Sequence, residues 1–386
     1  MKVLLIAPSF PPRTGGLETY VAHLAEALAV QGHSIVVLTN SDLEEQPAIE
    51  ERFGYTVWRT RALLAGHGHE NYVPWERSYF ALLNDIADFA SDAQFDVVHC
   101  HTQVSLLIAH LSGLSQRSPI VASFHETNPF RDKLGEQRTQ FIVRRCPAAR
   151  YAVGSEAFAA QARSFGIEDE LIRVVRMGIR DRHHTDREVA RRELSMRYGV
   201  STERILITLL GRFTPRKQHE QALFALERMS QRHNVQLLFA GSDNSTDPVF
   251  VRRLRRVVAA AAPSVIWLEN IPDADRDLLV DATDLGLQPS SKEGLGLAAV
   301  EFMMAGVPIL VADIEGLREV VGEHTTCLVD ANSVEHLARR IDELVESTQE
   351  RATLGMKLQQ RARMELSIEQ AAVRTLSVYA EALSCR

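Results

Sequence analysis

Two carboxylates stand eight residues apart in Pro289-Ser290-Ser291-Lys292-Glu293-Gly294-Leu295-Gly296-Leu297-Ala298-Ala299-Val300-Glu301. On one uninterrupted helix they would point about 80° apart. Here Gly294 and Gly296 interrupt the helix and let the backbone approach a ligand closely. A helix is expected from about Leu297. Its first N–H groups lack intrahelical partners and its dipole is positive there, which suits a phosphate. Glu301, one turn in, is placed to accept hydrogen bonds from a diol. Glu293 lies on the loop, so both carboxylates can face one ligand. A surface glutamate, a turn and a capped helix would explain the spacing alone. The whole string, continued by Ala305-Gly306-Val307-Pro308, is more specific.

A second cluster is cationic. Gly211-Arg212-Phe213-Thr214-Pro215-Arg216-Lys217 follows the apolar run Ile205–Leu210. Two solvated loop charges are the plain alternative for Arg212 and Lys217. The third cluster is imidazole. His99-Cys100-His101 has metal-like spacing, but residues two apart on a strand share a face, and no Cys/Asp cluster nearby completes a site. No metal is expected. His101 is read either as an acceptor-side residue or as a hydrogen-bonded core histidine. His125 follows the buried run Ile120–Phe124, and the polar residues Glu126 and Asn128 after it suit a site for hydroxyls. His67-Gly68-His69 reads as a solvated loop.

These residues need a scaffold that brings loops to one edge. Met1–Ala7 is a continuous apolar strand of the kind buried on both faces of a parallel sheet. A Pro- and Gly-rich loop, Pro8 to Gly16, follows. A helix comes next, with Leu17, Val21, Leu24, Ala25 and Leu28 at helical spacing, and then a strand at Ile35–Leu38. Strands recur at Val97–Cys100, Ile120–Phe124 and Tyr151–Val153. The pattern restarts at Ile205–Leu210, Val235–Ala240, Val265–Leu268, Leu285–Gln288 and Ile309–Val311. Alternation of this sort implies α/β architecture with two Rossmann-like halves. The expected division is an N-terminal domain over 1–178, a connection over 179–202, a C-terminal domain over 203–366, and a helix from 367 that returns to the first half. In open parallel sheets ligands bind beyond the carboxyl ends of the strands.

The glutamate segment resembles the Glu-x7-Glu signature of glycosyltransferase family 4, retaining enzymes of the GT-B fold. The likeness covers nearly the whole chain: Gly15-Gly16 matches the glycine loop, His99-Cys100-His101 the His-x-His, His125 the next histidine, and Gly211–Lys217 the Gly-Arg-x4-Lys segment. It implies two Rossmann-like domains facing each other across a cleft. By that resemblance Arg212 and Lys217 bind the donor diphosphate, and Glu301 holds the ribose. Glu293 and the amides of Gly294, Leu295, Gly296 and Leu297 hold sugar and phosphate, Gly15, Gly16 and Gly211 line the donor, and His125 lies beside the donor sugar. The catalytic set would be His125, Arg212, Lys217 and Glu293, with His101, Glu126 and Asn128 toward the acceptor. Departures occur at Gln218 and at Glu269-Asn270, where glycine is common. Another is Asp313–Glu319, with one glycine where two are usual. Asp273-Ala274-Asp275 mimics the Mn²⁺-binding pair of another glycosyltransferase fold, but acidic residues at a helix start explain it.

The implied reaction is metal-free transfer of a hexose-type sugar from a nucleotide diphosphate, UDP preferred. The acceptor hydroxyl would belong to a sugar, a natural product or a lipid-linked molecule. The nucleotide sugar is a co-substrate and no cofactor is expected. Alternatives are a nucleotide-sugar epimerase of the same fold and an inactive binding protein. A dehydrogenase is disfavoured because Pro8 to Gly16 lacks G-x-G-x-x-G. The 386 residues are 45% hydrophobic and 24% charged with net charge −7, which offers no basic nucleic-acid stripe. Four scattered cysteines fit a reducing cytoplasm, and the excess of arginine over lysine fits a GC-rich bacterial source. A stretch with Phe130, Arg131, Lys133, Leu134, Arg138, Phe141, Ile142, Arg144 and Arg145 could lie on the inner face of a membrane. An ordinary amphipathic helix is the favoured reading.

Overall fold

The computed structural model describes residues 1–12, 15–41, 47–60, 83, 86, 94–125, 133–242 and 247–385, with backbone alone for 133–135. The chain divides into two compact units. One is Met1–Arg180 with Ile368–Arg386, and the other is Asp181–Ser367.

In the first unit the described strands are β1 (Lys2–Ile6), β2 (Ser34–Asn40), β3 (Ile49–Arg52), β4 (Tyr55–Thr60), β5 (Val97–Cys100), β6 (Ile120–Ala122), β7 (Arg150–Val153) and β8 (Ile172–Val174). They form one sheet in the order β3-β4-β2-β1-β5-β6-β7-β8, parallel except for the antiparallel β3–β4 pair. The chain leaves β1 in one direction and returns to its other side at β5. The crevice at such a reversal is where ligands bind in open α/β sheets. Register aligns Ile6 with Cys100 and Cys100 with Ala122. The glycine loop, His101 and the segment leading to His125 therefore leave neighbouring strand ends.

Continuous apolar runs build this core. Val3, Leu4, Leu5 and Ile6 are all buried, as strands covered on both faces require. Tyr20, Val21, Leu24, Ala25 and Leu28 line the inner face of the helix Gly16–Val30. The helix Ile368–Ser384 packs against that helix and against β5, β6 and β7, burying Ala371, Ala372, Thr375, Val378, Tyr379 and Ala382. Burying a side chain of the size of Leu28 is worth about 1.5–3 kcal/mol relative to exposure.

The second unit is an all-parallel sheet ordered β11-β10-β9-β12-β13-β14. Its strands are β9 (Ile205–Leu210), β10 (Val235–Gly241), β11 (Val265–Glu269), β12 (Leu285–Gln288), β13 (Ile309–Ala312) and β14 (Leu328–Val329). The chain reverses between β9 and β12, so the loops after these two strands are neighbours. Residues 181–202, expected as a connection, belong to this unit. They contain the helix Arg187–Tyr198, which packs on the helix Asp273–Ala282. Buried Arg191 fastens it by donating to the carbonyls of Ala282, Ser201 and Arg204 and to Asp284. A buried arginine satisfied by carbonyls looks in sequence like a solvated charge.

Candidate active site

In the second unit, Gly211 ends β9 with φ +146°. A Cβ there would stand 2.9 Å from Lys217 Cε, and one at Gly241 would stand 1.9 Å from the Gly211 carbonyl oxygen. Both positions exclude a side chain, and the Lys217 chain lies back against the strand end. A single 3-10 turn, Pro215–Lys217, follows, and Gln218 enters the next helix with φ +57°. Gln218 and Asn270 (φ +52°) keep the left-handed backbone at positions where the family commonly has glycine. Both positions thus hold a conformation that glycine adopts readily.

Lys217 Nζ lies 2.8 Å from Glu293 Oε1, and Arg216 Nη1 lies 3.0 Å from Glu293 Oε2. Burial alone would raise the Glu293 carboxyl. Lys217 and then Arg216 outweigh it and hold the group down at about 2. Lys217 and Glu293, assigned separate jobs by resemblance, thus form one buried pair, and Arg216 is a member that the motif did not single out. Arg212 is exposed and makes no ion pair among the described residues, so its guanidinium is available to an anion.

The Glu293 loop is pinned from below. A Cβ at Gly316 would lie 2.3 Å from the Gly294 carbonyl oxygen, so the single glycine kept in Asp313–Glu319 sits where the backbones touch. Leu295 is buried and anchors the loop, leaving its amide as the group it can offer a ligand. Gly296 (φ +71°) caps the helix Leu297–Met304, whose first amides have no intrahelical acceptor. Beneath Gly296 lies Gln288, 2% exposed, with neither side-chain polar atom partnered among the described residues.

Glu301 is paired with Arg276 of the helix Asp273–Ala282, a partner invisible to motif reading. Asp275, part of the metal-like pair, is taken up by Arg197 and Tyr198 and ties two helices together.

The first unit holds the imidazoles. His99 and His101 share a face, with ring centroids 4.1 Å apart. His101 stacks on His125 at 5.3 Å, and its Nδ1 lies 3.1 Å from His125 Nε2. Tyr20 meets His101 edge-on at 6.4 Å and lies 5.6 Å from His125. His101 is 0% exposed and stacked on His125, the arrangement of the hydrogen-bonded core histidine that the sequence also allowed. Burial drives His125 down to about 4. Burial, with the nearby His125, drives His99 to about 3. All three rings are neutral at ordinary pH.

Gly15 precedes the helix Gly16–Val30, and a Cβ on it would meet Glu18 Oε2 at 2.2 Å. Glu18 accepts from Ser9 Oγ at 2.6 Å. Gly15 and Gly16 lie in the first unit, and the other donor-side residues lie in the second. Glu126, Asn128, Phe130, Arg131 and His67–His69 fall outside the described residues. The helix Lys133–Arg145 exposes Arg138, Phe141, Arg144 and Arg145 and buries Ile142. No helix among the described residues is long and apolar enough to cross a membrane.

Known proteins show the same combination of sequence and fold. Residues 190–361 match the glycosyl transferases group 1, and residues 14–183 match glycosyltransferase family 4. A D-inositol 3-phosphate glycosyltransferase of Geodermatophilus obscurus is 27% identical over 338 residues, covering 80% of this chain and 72% of that protein. Sucrose-phosphate synthase from Thermosynechococcus elongatus has the same fold with a TM-score of 0.84, at 20% identity over 100% of both chains. HepE from Anabaena, in complex with UDP and glucose, gives 0.79 at 21% identity over 98% of this chain and 99% of that one. With these matches along nearly its whole length, the chain belongs to the family 4 glycosyltransferases and has their GT-B fold.

Proposed function

We propose that this glycosyltransferase moves a hexose-type sugar from a UDP-sugar to a hydroxyl of a small-molecule or lipid-linked acceptor, with retention and without a metal ion. The observation that carries the reading is the Lys217–Glu293–Arg216 cluster beside the amide-rich start of Leu297–Met304, with Arg212 exposed on the same β9 loop. A departing nucleoside diphosphate gathers negative charge. Fixed cations and unpaired amides stabilise that charge, each typically worth about 3–4 kcal/mol of barrier. The HepE structure, holding UDP and glucose, supports UDP as the nucleotide. The relative acting on D-inositol 3-phosphate supports a hydroxylated acceptor.

In this reaction the bond from the anomeric carbon to the phosphate oxygen breaks. The acceptor oxygen bonds to that carbon from the same face, and the acceptor proton passes to the leaving phosphate oxygen. Glu301 accepts from the ribose diol, and His125 stands beside the sugar. Family membership supports the stereochemistry. Asp275, held by Arg197 and Tyr198, is already employed in the fold, which supports a reaction carried by cations of the chain itself.

The test is a thermal-shift panel of UDP-, GDP- and ADP-sugars, followed by turnover with an acceptor set in excess EDTA. UDP-sugar stabilisation and EDTA-resistant transfer are expected. A complete, Mn²⁺-reversible loss would overturn the metal-free reading, and product formation without acceptor would favour an epimerase.

A further inference from the structure

The proton positions in the histidine cluster follow from its partners. Ser123 Oγ donates to the Ala152 carbonyl at 2.6 Å. Its oxygen therefore accepts from His99 Nε2–H at 2.8 Å. Neutral His99 then has a bare Nδ1, which accepts from Tyr379 O–H at 2.8 Å. His99 is fully committed, and its ring forms a fixed wall beside His101.

His125 is read in the same way. Its Nδ1 lies 3.2 Å from Met177 Sδ, and a thioether can only accept. Nδ1 therefore carries the proton and Nε2 is bare. His101 Nδ1, 3.1 Å away, must be the donor to it. This leaves His101 Nε2 as a buried acceptor without a partner among the described residues. The reverse arrangement would set two lone pairs against each other at Met177. It would also strand a buried N–H on His101, the costlier kind of orphan.

We propose that His101 is a positioning residue for glycosyl transfer: by donating to His125 Nε2 it fixes the His125 proton on Nδ1, where Met177 holds the place of a sugar hydroxyl. The role rests on the reading that His125 stands beside the transferred sugar. A thioether is a weak acceptor, so a hydroxyl displaces it with a net gain. His125 is then a ready donor that need not change tautomer when the sugar arrives. Tyr379, through His99, braces His101 from the far side.

The experiment combines ring ¹⁵N spectroscopy with turnover. In the unliganded full chain, with His125 assigned by difference from His125→Ala, its Nδ1 should be the protonated nitrogen. His101→Leu should give a mixture of His125 tautomers and lower kcat by roughly 10-fold to 100-fold, the loss expected for a misplaced group. UDP binding by calorimetry should stay unchanged in that variant. His101→Asn, whose amide places an N–H near the position of Nδ1, should restore the tautomer and most of kcat. This variant also answers for any fold lost in His101→Leu. A wild-type His125 protonated on Nε2, or an unaltered tautomer and kcat in His101→Leu, overturns the proposal. If His125→Ala turns over the preferred UDP-sugar at the wild-type rate, the placement of His125 beside the sugar fails, and with it the role of His101 in transfer. The tautomer result still decides whether His101 holds the ring.

Discussion

Arg276 faces Glu301 directly, so the carboxylate expected to hold a ribose already has a cationic partner within the protein. One oxygen serves the guanidinium, which orients the other. Glu301→Gln should weaken UDP binding by about 10-fold to 100-fold, the range for a lost charge-assisted bond. Arg276→Met should weaken it less. In a double-mutant cycle by calorimetry the two losses should add to more than the double variant shows, because both act on one pair. Additive losses would mean that Arg276 and Glu301 work separately.

Lys217 and Glu293 make a different kind of pair, nearly closed to water, at 9% and 8% side-chain exposure. Removing one member of a buried pair typically costs about 3–5 kcal/mol. Lys217→Met should therefore lower the urea midpoint at pH 7 as well as abolish turnover. The Glu293 carboxyl, ordinarily at 4.5, is held at about 2 in the folded protein. Its contribution to stability is complete above about 4.5 and is lost as pH falls toward 2. Urea midpoints between pH 5 and 3 should fall more steeply in the wild type than in Lys217→Met.

His219 is fully buried between Phe213 and Phe239, and both ring nitrogens lack partners among the described residues. Burial, with Lys217 nearby, holds it at about 3. His99 and His125 are likewise depressed, to about 3 and about 4. Below about 6.5 the unfolded chain binds protons that these rings refuse, so stability falls from pH 6.5 toward 4. His219→Phe should raise the melting temperature at pH 7, since it removes an unpaired polar ring worth about 1–3 kcal/mol. It should also make the decline toward pH 4 shallower. Scanning calorimetry at pH 7, 6 and 5 reads both effects.

Gln218 and Asn270 both hold positive φ, yet they should respond differently to glycine. Asparagine tolerates the left-handed region at lower cost than glutamine does. Gln218→Gly should stabilise the protein by about 1 kcal/mol, with Asn270→Gly close to neutral. Equal melting shifts in the two variants would show that local strain at Gln218 is relieved by its surroundings.

Much of this architecture is legible in the sequence because buried parallel strands are written as continuous apolar runs. Val97–Cys100, Ile205–Leu210 and Leu285–Gln288 have the limits that the sequence predicts. The glycines at 211, 241, 294, 296 and 316 mark the loops around the donor-side cluster. Strand β4 escaped because Arg59 occupies a core position, where it donates to the Pro11 carbonyl and pairs with Glu50. The helix Arg187–Tyr198 escaped because its inner face is built of Ala190, Leu194 and the stem of Arg191. Pairings such as Arg276–Glu301 and Tyr379–His99, 25 and 280 positions apart, depend on three-dimensional packing that no local pattern encodes.

The helix Ile368–Ser384 has a consequence for how the protein is made. It completes the first unit, yet the ribosome reaches it only after the whole second unit, Asp181–Ser367, has been synthesised. At about 5–20 residues per second, that interval lasts roughly 10–40 s. Throughout it, the surfaces of β5, β6 and β7 that this helix covers face the solvent, and His99 waits for Tyr379. The second unit, continuous in the chain, can close first.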